Sequence, residues 1–303
     1  MGSIDIELFT NGGWDTHHHI FDTSTFPYSP DRHLTPPQAT IQEYESFKQS
    51  LGITKSVLTH GLSYGNDCSS LKSFIHTLGP DKTYGCAVID EETPASELAS
   101  LVKSGVRGIR LNLYGYNAMT DIELQVQVLQ LYAQRVRQSG TGWFLEFLQI
   151  NMANWAPLSK VIPKLGLQVV TDHHALLKAE SMLPAGTDVL AQPGLVDIVA
   201  LLKTGNFWLK LSAPYRSSTQ APYYEDMKPL VMALVEANPT RVLWGSDWPH
   251  TPNMKVRSKE EALNETPFQD IDDRAWLTSL RTWLSDDQWD RLMNKNPEEL
   301  YGS

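Results

Sequence analysis

The chain has 303 residues, 41% of them hydrophobic, which is enough to bury a large single core. Its formal net charge is −10, with 25 Lys and Arg residues and no basic run, and this argues against a nucleic-acid partner. The sequence contains no apolar stretch of membrane-spanning length and no signal-peptide pattern at its N-terminus. We therefore expect a cytoplasmic protein that has no membrane partner.

Strand-like and helix-like patterns alternate along the whole chain. Strands are predicted over residues 14–22, 53–59, 84–89, 106–113, 143–148, 168–171, 207–211 and 242–244. Helices are predicted between them and after them, over residues 40–51, 67–78, 94–103, 121–138, 152–165, 194–203, 224–237 and 272–296. The strands are almost continuously apolar, which is typical of a parallel sheet that is buried on both faces.

Eight such units without a linker or a composition break predict an α/β fold, a single (β/α)8 TIM barrel over residues 1–303. The main alternative is an open, doubly wound sheet. No strand leads into a Gly-x-Gly-x-x-Gly turn, so the signal for a nucleotide-binding sheet is missing.

Two histidines, His17 and His19, lie on the first strand. Alternate residues of a strand face the same side, so these two imidazoles point together and His18 points away. They lie about 7 Å apart along the strand. Such a pair can bind one metal ion or polarise one carbonyl group. An affinity tag is disfavoured because Asp and aromatic residues flank the histidines.

Other polar residues occur at or just after the ends of later strands, where the active site of a (β/α)8 barrel lies. They are Arg110, Glu146, His173, Arg216 and Asp247. Asp247 follows a Trp-Gly-Ser sequence whose glycine we expect to let the backbone turn. It is a candidate base for water or a metal ligand, and a turn or helix-capping aspartate is the structural alternative.

Arg110 and Arg216 are candidates for holding a carboxylate of a small anionic substrate, although either could form a structural salt bridge. Glu146 lies in the apolar sequence Trp-Phe-Leu-Glu-Phe-Leu and would be costly to bury without a partner. One solution is a salt bridge to Arg110 on the adjacent strand. The other is a divalent metal ion, for which the candidate ligands are His17, His19, Glu146 and Asp247.

With these residues assembled, the sequence resembles the amidohydrolase superfamily, in the branch typified by 2-pyrone-4,6-dicarboxylate lactonase. The resemblance covers most of the chain and includes residues 15–21, 26–30, 105–110, 170–173, 210–214, 241–250 and 296–301. It implies a barrel hydrolase that opens a lactone or a related ester. In that branch the aspartate after the last strand activates water, histidines polarise the carbonyl, and arginines hold carboxylates. The resemblance thus implies that Asp247 activates water and that His17, His19 and His173 polarise the carbonyl. It also implies that Arg110 and Arg216 hold carboxylates.

Two positions depart from that pattern. Tyr116 stands where the family lactonase has a further arginine, so we expect a substrate that lacks one carboxylate or replaces it with a neutral group. Glu146 aligns with a tyrosine of the lactonase and with a metal-binding histidine of metal-dependent relatives. Since glutamate can bind Zn²⁺ or Mn²⁺, the sequence leaves open whether the protein uses no cofactor or one divalent ion.

The leading interpretation is a hydrolase acting on a lactone of a small, aromatic-derived anionic substrate. A metal-dependent non-oxidative decarboxylase of the same superfamily is the second. A barrel that only binds a ligand is the third, and the water-activating carboxylate Asp247 counts against it. A homo-oligomer is possible, and the sequence does not decide it.

Overall fold

Eight parallel strands form one sheet in which each strand pairs with the next one along the chain. The computed structural model describes Leu8, residues 12–253 and residues 257–302. The strands are β1 (Trp14–His18), β2 (Lys55–Thr59), β3 (Thr83–Ala87), β4 (Val106–Arg110), β5 (Phe144–Phe147), β6 (Val169–Thr171), β7 (Phe207–Ser212) and β8 (Val242–Gly245).

The first and last strands meet just beyond their C-terminal ends. The Asp247 N–H donates to the His17 carbonyl at 2.8 Å, and the His19 N–H donates to the Trp248 carbonyl at 2.8 Å. A parallel bridge joins His18 to Trp248. These contacts complete a nearly closed barrel, so the predicted (β/α)8 fold is confirmed.

Helices connect the strands and cover the outside of the barrel. They are α1 (Ile41–Leu51), α2 (Ser69–Leu78), α3 (Ala95–Lys103), α4 (Ile122–Ser139), α5 (Trp155–Val161), α6 (Leu195–Lys203), α7 (Lys228–Ala237), α8 (Lys259–Leu263), α9 (Asp273–Trp283), α10 (Asp286–Asp290) and α11 (Asn296–Tyr301). Within the described ranges, no helix is both long enough and apolar enough to cross a membrane.

The last predicted helix, 272–296, is interrupted in the structure. Its first part is α9, which ends before Leu284. A new helix then begins with a capping box, in which the Ser285 hydroxyl accepts from the Gln288 N–H and the Gln288 side chain accepts from the Ser285 N–H. A reciprocal cap of this kind strongly favours a helix start, which explains the break that the apolar periodicity alone did not reveal.

The side chains that point into the barrel form two layers of different character. The lower layer is apolar and includes Phe144, Val170, Trp208 and Leu243, with Tyr301 of α11 packed against it. Two residues further along three of these strands the inward positions carry charge, at Glu146, Asp172 and Lys210. This follows from the two-residue period of a strand. The apolar layer therefore forms a floor, and the charged layer lies directly above it.

Candidate active site

Four of the residues predicted from the sequence meet at the C-terminal end of the barrel. The Oδ1 atom of Asp247 lies 3.5 Å from Nε2 of His17, 3.6 Å from Nε2 of His19 and 3.8 Å from Nε2 of His173. All four side chains are buried. The structure therefore brings one carboxylate oxygen to the centre of three imidazoles.

Gly245 lets Asp247 approach the first strand. A Cβ atom built on Gly245 would lie 2.6 Å from the His17 Cβ and 2.8 Å from the His17 backbone nitrogen, which is too close for any side chain. Gly245 does not have a positive φ, whereas Asp247 does, at 61°. The expected role of the glycine in a turn is therefore wrong, because it is the close contact with His17 that requires a glycine here.

The second oxygen of Asp247 is occupied by two donors. Arg216 Nη2 donates to Oδ2 at 2.8 Å, and the Tyr215 hydroxyl donates to it at 2.5 Å. Burial opposes ionisation of Asp247, but the Arg216 guanidinium, 2.8 Å from Oδ2, favours the carboxylate, and the pKa of Asp247 lies well below the usual range. Asp247 is therefore a carboxylate at neutral pH. The sequence predicted that Arg216 holds a carboxylate of the substrate. In the structure Arg216 donates to the carboxylate of Asp247 instead.

The three imidazoles are neutral at neutral pH. Burial lowers the pKa of His17 to about 3, with the positive charge of Lys210 as the next cause, and burial also lowers the pKa of His19 and of His173. His19 Nδ1 lies 2.7 Å from the Thr59 carbonyl, which can only accept. Neutral His19 therefore carries its proton on Nδ1 and a lone pair on Nε2. His173 Nδ1 lies 2.9 Å from the Ser212 hydroxyl, which can donate or accept.

Beneath these residues lies a second buried polar group. Lys210 Nζ contacts Glu146 Oε2 and lies 3.0 Å from His17 Nδ1 and 3.4 Å from Asp172 Oδ1. Arg110 pairs with Glu146 in the backbone register, but its Nη1 donates to the His60 carbonyl at 3.0 Å. These two described side chains form no ion pair, so the Arg110–Glu146 salt bridge, one of the two alternatives for Glu146, is wrong, and Lys210 is the cation that contacts Glu146.

Neither Lys210 nor Asp172 was predicted to belong to the site. For Lys210 the signal was present. Lys210 is the single charged residue of strand β7, just as Glu146 is of β5, and two isolated charges of opposite sign in buried strands are expected to pair. Asp172 directly precedes His173 at the end of β6, and its position alone does not reveal its contact with His17.

The donor atoms fall into two groups that could each hold a cation. His17, His173 and Asp247 form one, with His19 beside it, and its atoms His17 Nε2 and Asp247 Oδ1 have no hydrogen-bond partner among the described residues. Imidazole nitrogens and a carboxylate fit a divalent ion such as Zn²⁺. Glu146 is not in this group, which differs from the predicted metal set. It forms the second group with His17 and Asp172, where the Lys210 ammonium already lies.

Two neighbouring cavities lie at this end of the barrel, and the inner one reaches Asp247. The inner one, of about 40 Å³, is lined by residues that include His19, Arg110, His173, Arg216 and Asp247. It has room for a water molecule or an ion. The outer one, of about 640 Å³, has room for a ring-sized molecule. The two cavities share the lining residues His33, Leu62 and Arg257.

Tyr116 lies on the outer cavity and not beside Asp247. Its hydroxyl contacts Glu91 and lies 2.9 Å from the Tyr132 hydroxyl. A side chain tied to an acidic neighbour does not replace the arginine of the family lactonase as a contact for an anion.

Comparison with known proteins supports the interpretation of the fold and the family. The 4-sulfomuconolactone hydrolase of Hydrogenophaga intermedia is 27% identical over 294 residues, which are 96% of this chain and 89% of the relative. The 2-pyrone-4,6-dicarboxylate hydrolase of Comamonas testosteroni is 26% identical over 261 residues, 83% of this chain and 81% of the relative. Both names denote hydrolases that act on lactones.

A solved structure has the same fold. It is a Pseudomonas putida protein provisionally named a 2-pyrone-4,6-dicarboxylic acid hydrolase, with a TM-score of 0.72 and 24% identity over 96% of this chain and 97% of that chain. The family model described as amidohydrolase matches residues 14–303. The resemblance found in the sequence is confirmed, and the chain belongs to the amidohydrolase family.

Proposed function

We propose that this protein hydrolyses a lactone, or a related cyclic ester, of a small anionic substrate. One observation carries the proposal: a buried carboxylate oxygen of Asp247 faces the Nε2 atoms of His17, His19 and His173 at 3.5 to 3.8 Å. The names of the lactone hydrolases among its relatives support the same class of reaction.

Asp247 is the general base for the attacking water. Its Oδ2 is held by Arg216 and Tyr215, so Oδ1 is the oxygen left to accept a proton. The lone pair on His19 Nε2 can accept the second hydrogen of the same water, since the Nδ1 proton of His19 is bound to Thr59. Two acceptors on one water fix its position before attack. Holding water is a different role for His19 from the carbonyl polarisation expected from the sequence.

His17 and His173 are the groups that polarise the lactone carbonyl. Their Nε2 atoms lie 3.5 and 3.8 Å from Asp247 Oδ1, and their ring centroids are 5.0 Å apart. A donor aimed at the carbonyl oxygen stabilises the negative charge that develops as water adds. The ester C–O bond then breaks, and Asp247 returns its proton to the departing ring oxygen. The product is an open-chain hydroxy acid.

Arg110 holds the anionic part of the substrate. It lines the inner cavity together with Asp247, and among the described residues its guanidinium donates one hydrogen bond, to the His60 carbonyl. Arg257 lines both cavities and adds positive charge on the way in. In an acidic protein such local positive charge is what attracts a small anion.

The same four residues, His17, His19, His173 and Asp247, would hold a divalent ion. When bound, that ion would supply Lewis-acid polarisation of the carbonyl. The proton transfers at Asp247 and the anion contact at Arg110 are the part of the reaction that the chain itself performs.

The decisive experiment is a screen of pyrones, coumarin-type lactones and sugar lactones with a pH indicator, using the wild type and Asp247→Asn. We expect the wild type to acidify the solution with at least one lactone. Asp247→Asn should lose about 10⁴-fold in kcat while its KM changes little. Asp81→Asn, on an exposed turn, is the matched control and should behave like the wild type.

Two outcomes would overturn the proposal. Release of CO2 without acid formation would indicate the decarboxylase alternative. Binding of a lactone without turnover, together with unchanged affinity in Asp247→Asn, would indicate a barrel that only binds its ligand.

A further inference from the structure

Lys210 lies among three acceptors at the bottom of the site. Its Nζ contacts Glu146 Oε2, and it lies 3.0 Å from His17 Nδ1 and 3.4 Å from Asp172 Oδ1. Lys210 and His17 are fully buried, and Asp172 is almost so. An ammonium group has three N–H donors and no lone pair. Lys210 is within hydrogen-bonding distance of Glu146 and His17, and its contact with Asp172 is an ion pair.

The charge of Lys210 is maintained by its surroundings. Its Nζ forms an ion pair with Glu146 Oε2, and a second carboxylate oxygen, Asp172 Oδ1, lies 3.4 Å away, which is the arrangement expected around an ammonium group. Since an ammonium group has no lone pair, Lys210 can only donate to His17 Nδ1.

This constrains the proton on His17. An N–H at Nδ1 would point at an ammonium only 3.0 Å away, so Nδ1 must accept from Lys210. A neutral imidazole that accepts at one nitrogen carries its proton on the other. Asp172 Oδ1 favours the other tautomer, because it lies 3.2 Å from the same Nδ1 and can only accept a hydrogen bond. If Lys210 were absent, Asp172 would stabilise a proton on Nδ1.

We propose that Lys210 is a positioning residue that keeps the proton of His17 on Nε2. His17 then offers a hydrogen-bond donor beside Asp247 Oδ1, which is what a lactone carbonyl needs, and withholds the lone pair that a metal ion needs. Lys210 thus biases the site against divalent ions. The benefit to catalysis rests on the proposed lactone hydrolysis, whereas the position of the proton does not.

The proton can be observed directly by ¹⁵N NMR of the wild type labelled in histidine. Protonated and unprotonated ring nitrogens have well separated shifts, and His17→Gln identifies the signals of His17 by their loss. We expect the proton of His17 on Nε2 and that of His19 on Nδ1, so His19 serves as the internal reference. A proton on Nδ1 of His17 would overturn the proposal.

Two substitutions around the same nitrogen should change metal binding differently. In Lys210→Met, Nδ1 is free to donate to Asp172, and we expect the affinity for Zn²⁺, titrated by calorimetry into chelator-treated protein, to rise about 10- to 100-fold. In Asp172→Asn, Lys210 still donates to Nδ1, so Zn²⁺ should bind no better than to the wild type. If Lys210 only stabilised the folded site, Lys210→Met would instead weaken Zn²⁺ binding.

Circular dichroism must show that each variant is folded. If Lys210→Met is not folded, Lys210→Met combined with Glu146→Gln removes the partner charge as well and takes its place. Unchanged or weaker Zn²⁺ binding in a folded Lys210 variant would contradict the proposal. Because both measurements omit substrate, failure of the proposed lactone hydrolysis would leave their results intact.

Discussion

Arg216 Nη2 donates to Asp247 Oδ2 at 2.8 Å, and both side chains are almost completely buried. Tyr215 donates to the same oxygen, at 2.5 Å, so both hydrogen bonds fall on Oδ2. Oδ1 is left to face the imidazoles and the inner cavity. One half of the carboxylate is therefore fixed in place while the other remains available for chemistry.

This division predicts a pH effect of Arg216→Met. The guanidinium helps to lower the pKa of Asp247, so its loss should raise that pKa, and a base is lost when it is protonated. The acid limb of kcat/KM should therefore move to higher pH, by about one to three pH units. Tyr215→Phe removes only a neutral donor and should move the limb less.

The pH profiles of the two variants and the wild type provide the check. A rise in KM for an anionic lactone with an unmoved acid limb would show that Arg216 acts on the substrate, as expected from the sequence, and not on Asp247.

A different result is expected for Arg110→Met. Arg110 does not contact Asp247 within hydrogen-bonding distance, and its role in the proposed reaction is to bind the anionic group of the substrate. A hydrogen bond to a charged group is worth about 1.5 to 3 kcal/mol, so KM should rise about 10- to 100-fold while kcat changes little. The control is a neutral lactone with the same ring, and an equal loss with it would show a structural role.

The fold and the outer part of the site could be predicted because their signals are local. Alternating patterns define the eight strands, and polar residues at strand ends must meet at one end of a parallel barrel. His17, His19, His173 and Asp247 follow from that rule alone.

The partner of Glu146 could not be found by the same argument. Arg110 seemed the natural choice because β4 is adjacent to β5. Inside the barrel, however, side chains of strands that are not adjacent meet. Glu146 on β5 contacts Lys210 on β7, which lies 3.0 Å from His17 Nδ1 on β1, whereas Arg110 on β4 donates to the His60 carbonyl. Likewise, Arg216 follows β7 and Asp247 follows β8. Their contact depends on how these two segments fold over the end of the barrel, which a local sequence pattern does not show.

The buried pair of Glu146 and Lys210 predicts a large but non-additive loss of stability. Glu146→Gln leaves the ammonium without its closest anion, and Lys210→Met leaves the carboxylate without its cation. Each should lower the free energy of unfolding by about 3 to 5 kcal/mol. The double variant should lose clearly less than the sum, because no charge of the pair is then buried alone. Urea unfolding of all four proteins measures this, and simple additivity would contradict the pairing.

Gly245→Ala tests whether contact between strands positions the catalytic carboxylate. The new methyl group would lie 2.6 Å from the His17 Cβ, and β1 or the segment carrying Asp247 must move to admit it. We expect a loss of about 1 to 3 kcal/mol in stability. We also expect about a 100-fold fall in kcat, since a shift of 1 Å in reacting groups costs that much.

Gly166→Ala separates this contact from a general effect of removing a glycine. Nothing lies within 4 Å of a Cβ at Gly166, but its φ of 70° strains any other residue, so this variant should lose about 1 to 2 kcal/mol and keep its kcat. The two variants should thus differ little in unfolding free energy and strongly in turnover. Full activity in Gly245→Ala would mean that His17 and Asp247 tolerate displacement, and their spacing would not then control the reaction.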